Sequence, residues 1–232
     1  MQSIRDSQMM PHFDIAAGMY AAPTPGGAYH ATLAPDDDPP RRLLRALMTG
    51  DDTPALSADA IRDWSGIAET EAALEVYHRL QSLALVQADA TPRRAPTATL
   101  EELLPTLLAQ LARSGKALLA DAQGFYLATS GFPHETAEEL SALSADLGLL
   151  HERHQRMLRH NLGIDRSSWA LIDAAGNSQL GVWPLFIGSQ RFALVASGTP
   201  QLNQPAFVDL VWALTRRYAS LAEPGPPVTR AP

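Results

Sequence analysis

The chain contains no cysteine. That absence excludes disulfides, thiolate nucleophiles and Cys-ligated zinc together. Lysine is almost missing too: Lys116 is the only one, so 17 of the 18 basic residues are arginine. With abundant alanine, this bias reflects the codon usage of a GC-rich genome more than any chemistry. No apolar run is long enough to cross a bilayer, and the N-terminal stretch lacks the apolar centre of a signal peptide. Cytoplasmic residence is therefore expected. Nor is there a glycine-rich phosphate loop, since Gly124, Gly131 and Gly176 are isolated turn glycines. Ser, His and Asp fall into no nucleophile-elbow pattern. An enzyme with its own small-molecule substrate is not expected, and neither is a cofactor. A net charge of −7 argues against a general nucleic-acid or anionic-membrane binder, because both need basic surface.

What is present suffices for a sizeable core. Hydrophobic residues make up 46% of the 232, which allows one large domain or two small ones at roughly 100–200 residues each. Residues 1–38 carry Pro23, Pro25, Gly26, Gly27, Pro35 and the run Asp36-Asp37-Asp38. They read as a flexible acidic arm, or as a segment ordering on a partner through Phe13, Ile15, Met19 and Tyr20. Residues 39–90 read as a compact helical unit. Pro40 opens a helix with Leu43, Leu44 and Leu47, and Ser57 is the N-cap of a second with Ile61 and Trp64. A third helix runs from Glu69 to Gln81, before a β-prone run at 83–87. Helix, helix, turn, helix, strand loosely resembles a winged helix-turn-helix. Its third helix carries Glu69, Glu71 and Glu75 against Arg79, which opposes phosphate contact. Protein contact or spacing is the expected role there, with DNA reading by a transcriptional regulator as the alternative.

Residues 91–98 form a Pro-broken linker. A leucine-rich helix follows, where Thr99 and Glu102 have capping-box spacing and Pro105 leaves its regular start open between 99 and 105. The stretch 116–131 predicts a hairpin. Its strands are apolar on both faces, and Asp121-Ala122-Gln123-Gly124 supplies the turn. Such a hairpin belongs in the middle of a sheet covered on both sides. A long helix from 135 to 161 has a heptad-like seam of Leu140, Leu143, Leu147, Leu150, His154 and Met157. Strands are expected at Trp169–Ile172, at 179–183 (ended by Pro184) and at 192–196, with a final helix from Asn203 or Gln204. The tail 222–232 reads as disordered.

Residues 99–221 therefore read α-β-β-α-β-β-β-α, a five-stranded antiparallel sandwich expected to fold alone. This order resembles the Roadblock (dynein light chain) family, a longin-like α/β fold. The apolar strand, Asp-x-x-Gly turn and strand ending Ser130-Gly131, with the helix beginning Glu138-Glu139-Leu140, carry the resemblance. It implies a homodimer with a continuous sheet, acting as a scaffold or regulator of small Ras-like GTPases. Several bacterial members act on a GTPase that sets cell polarity. Trp169 and Leu171 would join the seam in the dimer contact, through an edge strand with no charge inside it.

Two clusters invite chemistry. His151-Glu152-Arg153-His154 is one residue short of the zincin spacing, and without a third ligand it reads as surface, so no metal is expected. Arg153, Arg156 and Arg159 lie at the end of the long helix. They either complement its dipole or form a basic patch for an acidic partner. Glu138-Glu139 near the helix start reads as dipole compensation.

Overall fold

The computed structural model describes residues 18–219, and structure starts almost at once. Strand β1 (Tyr20–Pro23) leads into helix α1 (Pro25–Thr32). Thr24 makes the junction: its hydroxyl accepts from the Gly27 amide at 3.1 Å and donates to the Ala84 carbonyl at 2.7 Å. Pro25 occupies the first turn, where its missing N–H has no partner to lose. Gly27 is needed for close approach, since a Cβ there would lie 1.8 Å from the Leu85 carbonyl oxygen. The flexible arm expected over 1–38 is thus corrected for its second half, while residues 1–17 lie outside the described residues. The prolines and glycines begin a helix instead of preventing one.

Helices α2 (Pro39–Ala46), α3 (Ala58–Ser65) and α4 (Thr70–Ser82) follow, then strand β2 (Val86–Asp89). The acidic run is consumed locally. Asp38 caps α2 by accepting from the Arg41 amide and pairs with the Arg41 guanidinium, and Asp37 pairs with Arg42 at 2.9 Å. Ser57 caps α3 as expected, and Gly66 ends it in the left-handed region. β2 pairs antiparallel with β1, from Tyr20 opposite Asp89 to Pro23 opposite Val86. The small sheet therefore draws its second strand from before the helices, and this unit begins at Tyr20, not at residue 39. The stretch 91–98 is strapped down. Thr53 and Arg93 exchange two bonds at 2.9 Å, Ala95 donates to Asp51, and Arg93 reaches Asp209 at 2.7 Å.

Helix α5 (Leu100–Gln110) starts with a complete Thr99–Glu102 capping box and carries Pro105 inside it. Strands β3 (Ala117–Asp121) and β4 (Tyr126–Ser130), helix α6 (His134–Arg156) and a π-helical turn (Met157–Asn161) come next. Strands β5 (Trp169–Ile172), β6 (Ser178–Ile187) and β7 (Gln190–Ser197) and helix α7 (Pro205–Tyr218) complete the described residues. The sheet order is β4-β3-β7-β6-β5, antiparallel throughout. The hairpin is not central: β7 holds the middle, while β4 is an edge with Ala128 its only buried residue. Pro184 lies within β6 rather than at its end. β5 pairs no further than Val182, so β6 has only β7 beside it there, and a residue without an N–H is tolerated.

Alternation sorts the sheet into two faces. Leu118, Ala120, Val182, Ala193 and Val195 face α6. Ala117, Leu119, Leu185 and Leu194 face α5 and α7, in a core continuous with Leu43, Leu44, Ile61 and Tyr77 of the N-terminal unit. α7 is covered on both sides, with 9 of its 14 residues buried. Trp212 donates from its indole to the Gly50 carbonyl at 3.0 Å, and Phe207 meets Tyr29 of α1 at 6.1 Å.

Candidate interaction surface

Helix α6 lies on its sheet face through small residues. Ala137, Ser141 and Ser144 are the buried ones, and both hydroxyls are satisfied inside the helix, at 2.7 Å to the Ala137 carbonyl and 2.8 Å to that of Ser141. Burying them therefore leaves no orphaned donor. Gly124 of the β3–β4 turn fits against the same helix, where a Cβ would meet the Ala142 Cα at 3.2 Å. At Gly148 the Arg191 guanidinium lies across the helix backbone, to which a Cβ would bring 2.2 Å contact, and binds Glu152 at 2.9 Å. This tie between β7 and α6 has no signal in the local sequence pattern.

The heptad-like seam divides between two environments. Leu140 and Leu147 are half-buried and pack on the sheet. Leu143, Leu150, His154 and Met157 are exposed, Leu143 by 42%. Beside them Trp169 is half-buried, whereas Leu171 and Ile172 of β5 are each 64% exposed. A groove of about 120 Å³ between α6 and β5 is lined by Leu143, Leu147, Trp169, Leu171, Leu180 and Val182. Among the described residues the outer edge of β5 has no strand neighbour. His151 turns inward, edge-on to the Trp169 ring at 6.2 Å. Burial lowers its pKa from the ordinary value, opposed by Glu152 and assisted by Arg191.

Arg153, Arg156 and Arg159 are all exposed and make no ion pair with a described residue. Arg153 and Arg156 lie about 60° apart around α6, and Arg159 sits in the π-helical turn that follows. Arg159 reaches a cleft of about 250 Å³ shared with Leu33, Pro35, His151, Pro184 and Arg191. The histidines separate likewise, His151 inward and His154 and His160 exposed. Among the described residues no group of three His, Asp or Glu side chains is placed to hold a metal. On α4, Glu69 caps the helix by accepting from the Ala72 amide at 2.7 Å, and Glu71 and Glu75 are exposed.

The two Asp-x-x-Gly turns are one device used twice. Asp121 accepts from the Gln123 and Phe125 amides, and Asp173 from the Ala175 and Asn177 amides, all at 2.9 Å. These bonds, those from Asn177 first, hold the Asp173 carboxyl below its usual range. Both aspartates are therefore structural. No described helix is long and apolar enough to cross a membrane.

No protein-family profile matches the sequence, and no curated protein matches it either. Among solved structures the chain is similar to a Roadblock/LC7 domain from Streptomyces avermitilis, at 17% identity and a TM-score of 0.34, over 53% of this chain and 97% of that one. It is also similar to Myxococcus xanthus MglB, at 16% identity and a TM-score of 0.34, over 52% and 95% of the two chains. The gliding protein MglB from Thermus thermophilus gives 23% identity and a TM-score of 0.34, over 52% and 88%.

Proposed function

We propose that the chain is a non-catalytic, homodimeric adaptor that regulates a small Ras-like GTPase, in an assembly of the polarity or motility kind. The reading is supported chiefly by one observation. The α-β-β-α-β-β-β-α order is present, and it leaves β5 as an open edge beside the exposed leucines of α6. An unprotected apolar edge of this kind is an association site unless something covers it. Arg153, Arg156 and Arg159 supply positive charge at the end of α6, on a chain of net charge −7. Charge of that sign steers encounter with an acidic partner more than it adds affinity.

The N-terminal helices serve as a protein-contacting or spacing unit. Helix α4 turns Glu71 and Glu75 to solvent, so DNA reading is not favoured, and a gel shift at low salt is expected to show no complex. The dimer is tested by light scattering at micromolar concentration: Leu171→Asp gives a monomer while the starting protein is a dimer. A monomeric starting protein overturns the dimer. Pull-down from the native host with mass spectrometry is expected to recover a small GTPase, and repeated recovery of other partners without one overturns that part.

A further inference from the structure

Helix α6 does not meet the sheet along its whole length. Ala137, Ser141, Ser144, Gly148, His151 and Gln155 follow one another in steps of four and three, so they share one side of the helix. Along that line the first three are buried, Gly148 and His151 are half-buried, and Gln155 is exposed. The helix therefore lifts away toward its C-terminal end, where the line changes from small residues to His and Gln. The cleft of about 250 Å³ lies under this lifted half. Strand β6 lends it Pro184 and Phe186, and the loop between α1 and α2 lends it Leu33, Ala34 and Pro35. A narrow recess of about 20 Å³ adjoins it at Gly148, Ser167 and Arg191 and reaches Trp169.

The polar groups around this space are mostly donors. Arg191 gives one hydrogen bond, to Glu152 at 2.9 Å, and its other N–H groups have no protein acceptor among the described residues. Gln155 and Arg159 add an amide and a guanidinium. Two buried ring nitrogens border the space without a hydrogen-bond partner among the described residues, Nδ1 of His151 and Nε1 of Trp169. The indole nitrogen can only donate, and leaving such a group unpaired is unfavourable. The carboxylates at the cleft are already engaged. Asp36 lies 3.9 Å from Arg41 and Asp165 3.6 Å from Arg166, while Glu152 holds Arg191. Arg159 is the one arginine or carboxylate of the lining without an ion pair among the described residues.

We propose that this cleft binds a compact organic carboxylate, with its anionic end among Arg159, Arg191 and Gln155 and its apolar body against Pro35, Pro184 and Phe186. Donors without acceptors and one unpaired cation call for an acceptor-rich anion. The cleft falls just under the usual range for small-molecule sites, roughly 300–1,000 Å³, so a single ring or a short chain fits and a nucleotide does not. Every lining residue belongs to one chain, so the site needs no second copy and holds whether or not the adaptor reading does. An occupant would bridge the N-terminal unit and α6. Arg159 then serves the cleft, and Arg153 and Arg156 are left for an acidic partner.

Saturation-transfer NMR and calorimetry on the full chain test this with butyrate, benzoate and phenylacetate as probes. Benzamide and inorganic phosphate are the controls. At least one carboxylate binds, and benzamide binds about tenfold more weakly than benzoate because the charge-assisted bonds are lost. Phosphate does not compete. Arg159→Gln weakens carboxylate binding by about tenfold, and Gln155→Glu, which sets a like charge beside the anion, abolishes it. Both positions are exposed, and unchanged circular dichroism verifies that each variant folds. Arg153→Gln, on the opposite side of α6 from Gln155, changes affinity by less than about twofold. The site is overturned if none of the three carboxylates binds, or if benzamide or phosphate binds as well as they do. It is equally overturned if Arg159→Gln and Gln155→Glu leave binding unchanged, or if Arg153→Gln weakens it as much as they do. A monomeric chain that recovers no GTPase but binds the carboxylates leaves this site standing.

Discussion

The two faces of the sheet are finished differently. On one, α5 and α7 are covered in turn by the N-terminal helices, and the side chains interlock from β3 through to α1. On the other, α6 rests on Ala137, Ser141 and Ser144 and turns Leu143, Leu149 and Leu150 outward. A closed face gains stability from burial, whereas an open one keeps apolar area that only a partner removes. The N-terminal unit thus acts on α7 as a permanently attached partner, and α6 is left as the side on which association is decided.

The sharpest way to break that contrast is to truncate one residue on each face. Trp212→Ala on the closed face removes a fully buried indole and its bond to Gly50, and should cost about 3–5 kcal/mol in urea melts. Leu143→Ala on the open face should cost no more than about 0.5 kcal/mol in the isolated chain. Equal losses would mean that the two faces are equivalent. Next comes Gly27→Ala, which forces a Cβ onto the Leu85 carbonyl. An overpacked joint of this kind loses about 1–3 kcal/mol, measured as a lower urea midpoint for the whole protein.

How much of this contrast could be read in advance depends on the range of the signals. The capping box at Thr99 and Glu102, the Ser57 cap and the Asp121–Gly124 turn are local, and each lies where the sequence places it. The doubly apolar β3 also reads correctly, with Ala117 to Ala120 fully buried. α1 does not, because its glycine serves the distant carbonyl of Leu85 and its cap also binds Ala84. The sheet-facing side of α6 is hidden for another reason. Small residues make the fully buried contact, so the leucine stripe is split, Leu140 and Leu147 packing on the sheet and Leu143 and Leu150 left exposed. As for the surface, the β5 edge and the seam residues are visible in the pattern. The Gly148–Arg191 crossing joins residues far apart in sequence and leaves no local signal.

Two smaller effects sharpen the comparison further. Ala84 closes α4 with a positive φ of 53°, the backbone region that favours glycine. Ala84→Gly should stabilise by about 0.5–1 kcal/mol. If the closed face is one cooperative core, a single calorimetric transition moves up. A split in which only one transition moves would separate the N-terminal unit. Last, the open face should respond to acid through His151. Its pKa is lowered in the fold, so its contribution is complete above the ordinary value of 6.5 and declines as pH falls below it. His30 on α1 is lowered in the same sense, mainly by burial. Urea midpoints measured across this range for His151→Gln and His30→Asn assign the acid loss to one face or the other, and an unchanged slope in the His151 variant removes it from the α6 side.

The central position of β7 also has a consequence for synthesis. A ribosome releases the chain from its N-terminus, so β3 and β6 emerge before the strand that joins them. Helix α1 likewise waits for α7, the element against which it packs. The nascent chain holds two unfinished halves until β7 and α7 emerge and complete both. Until then unpaired strand edges stay open to chaperones or to misassembly.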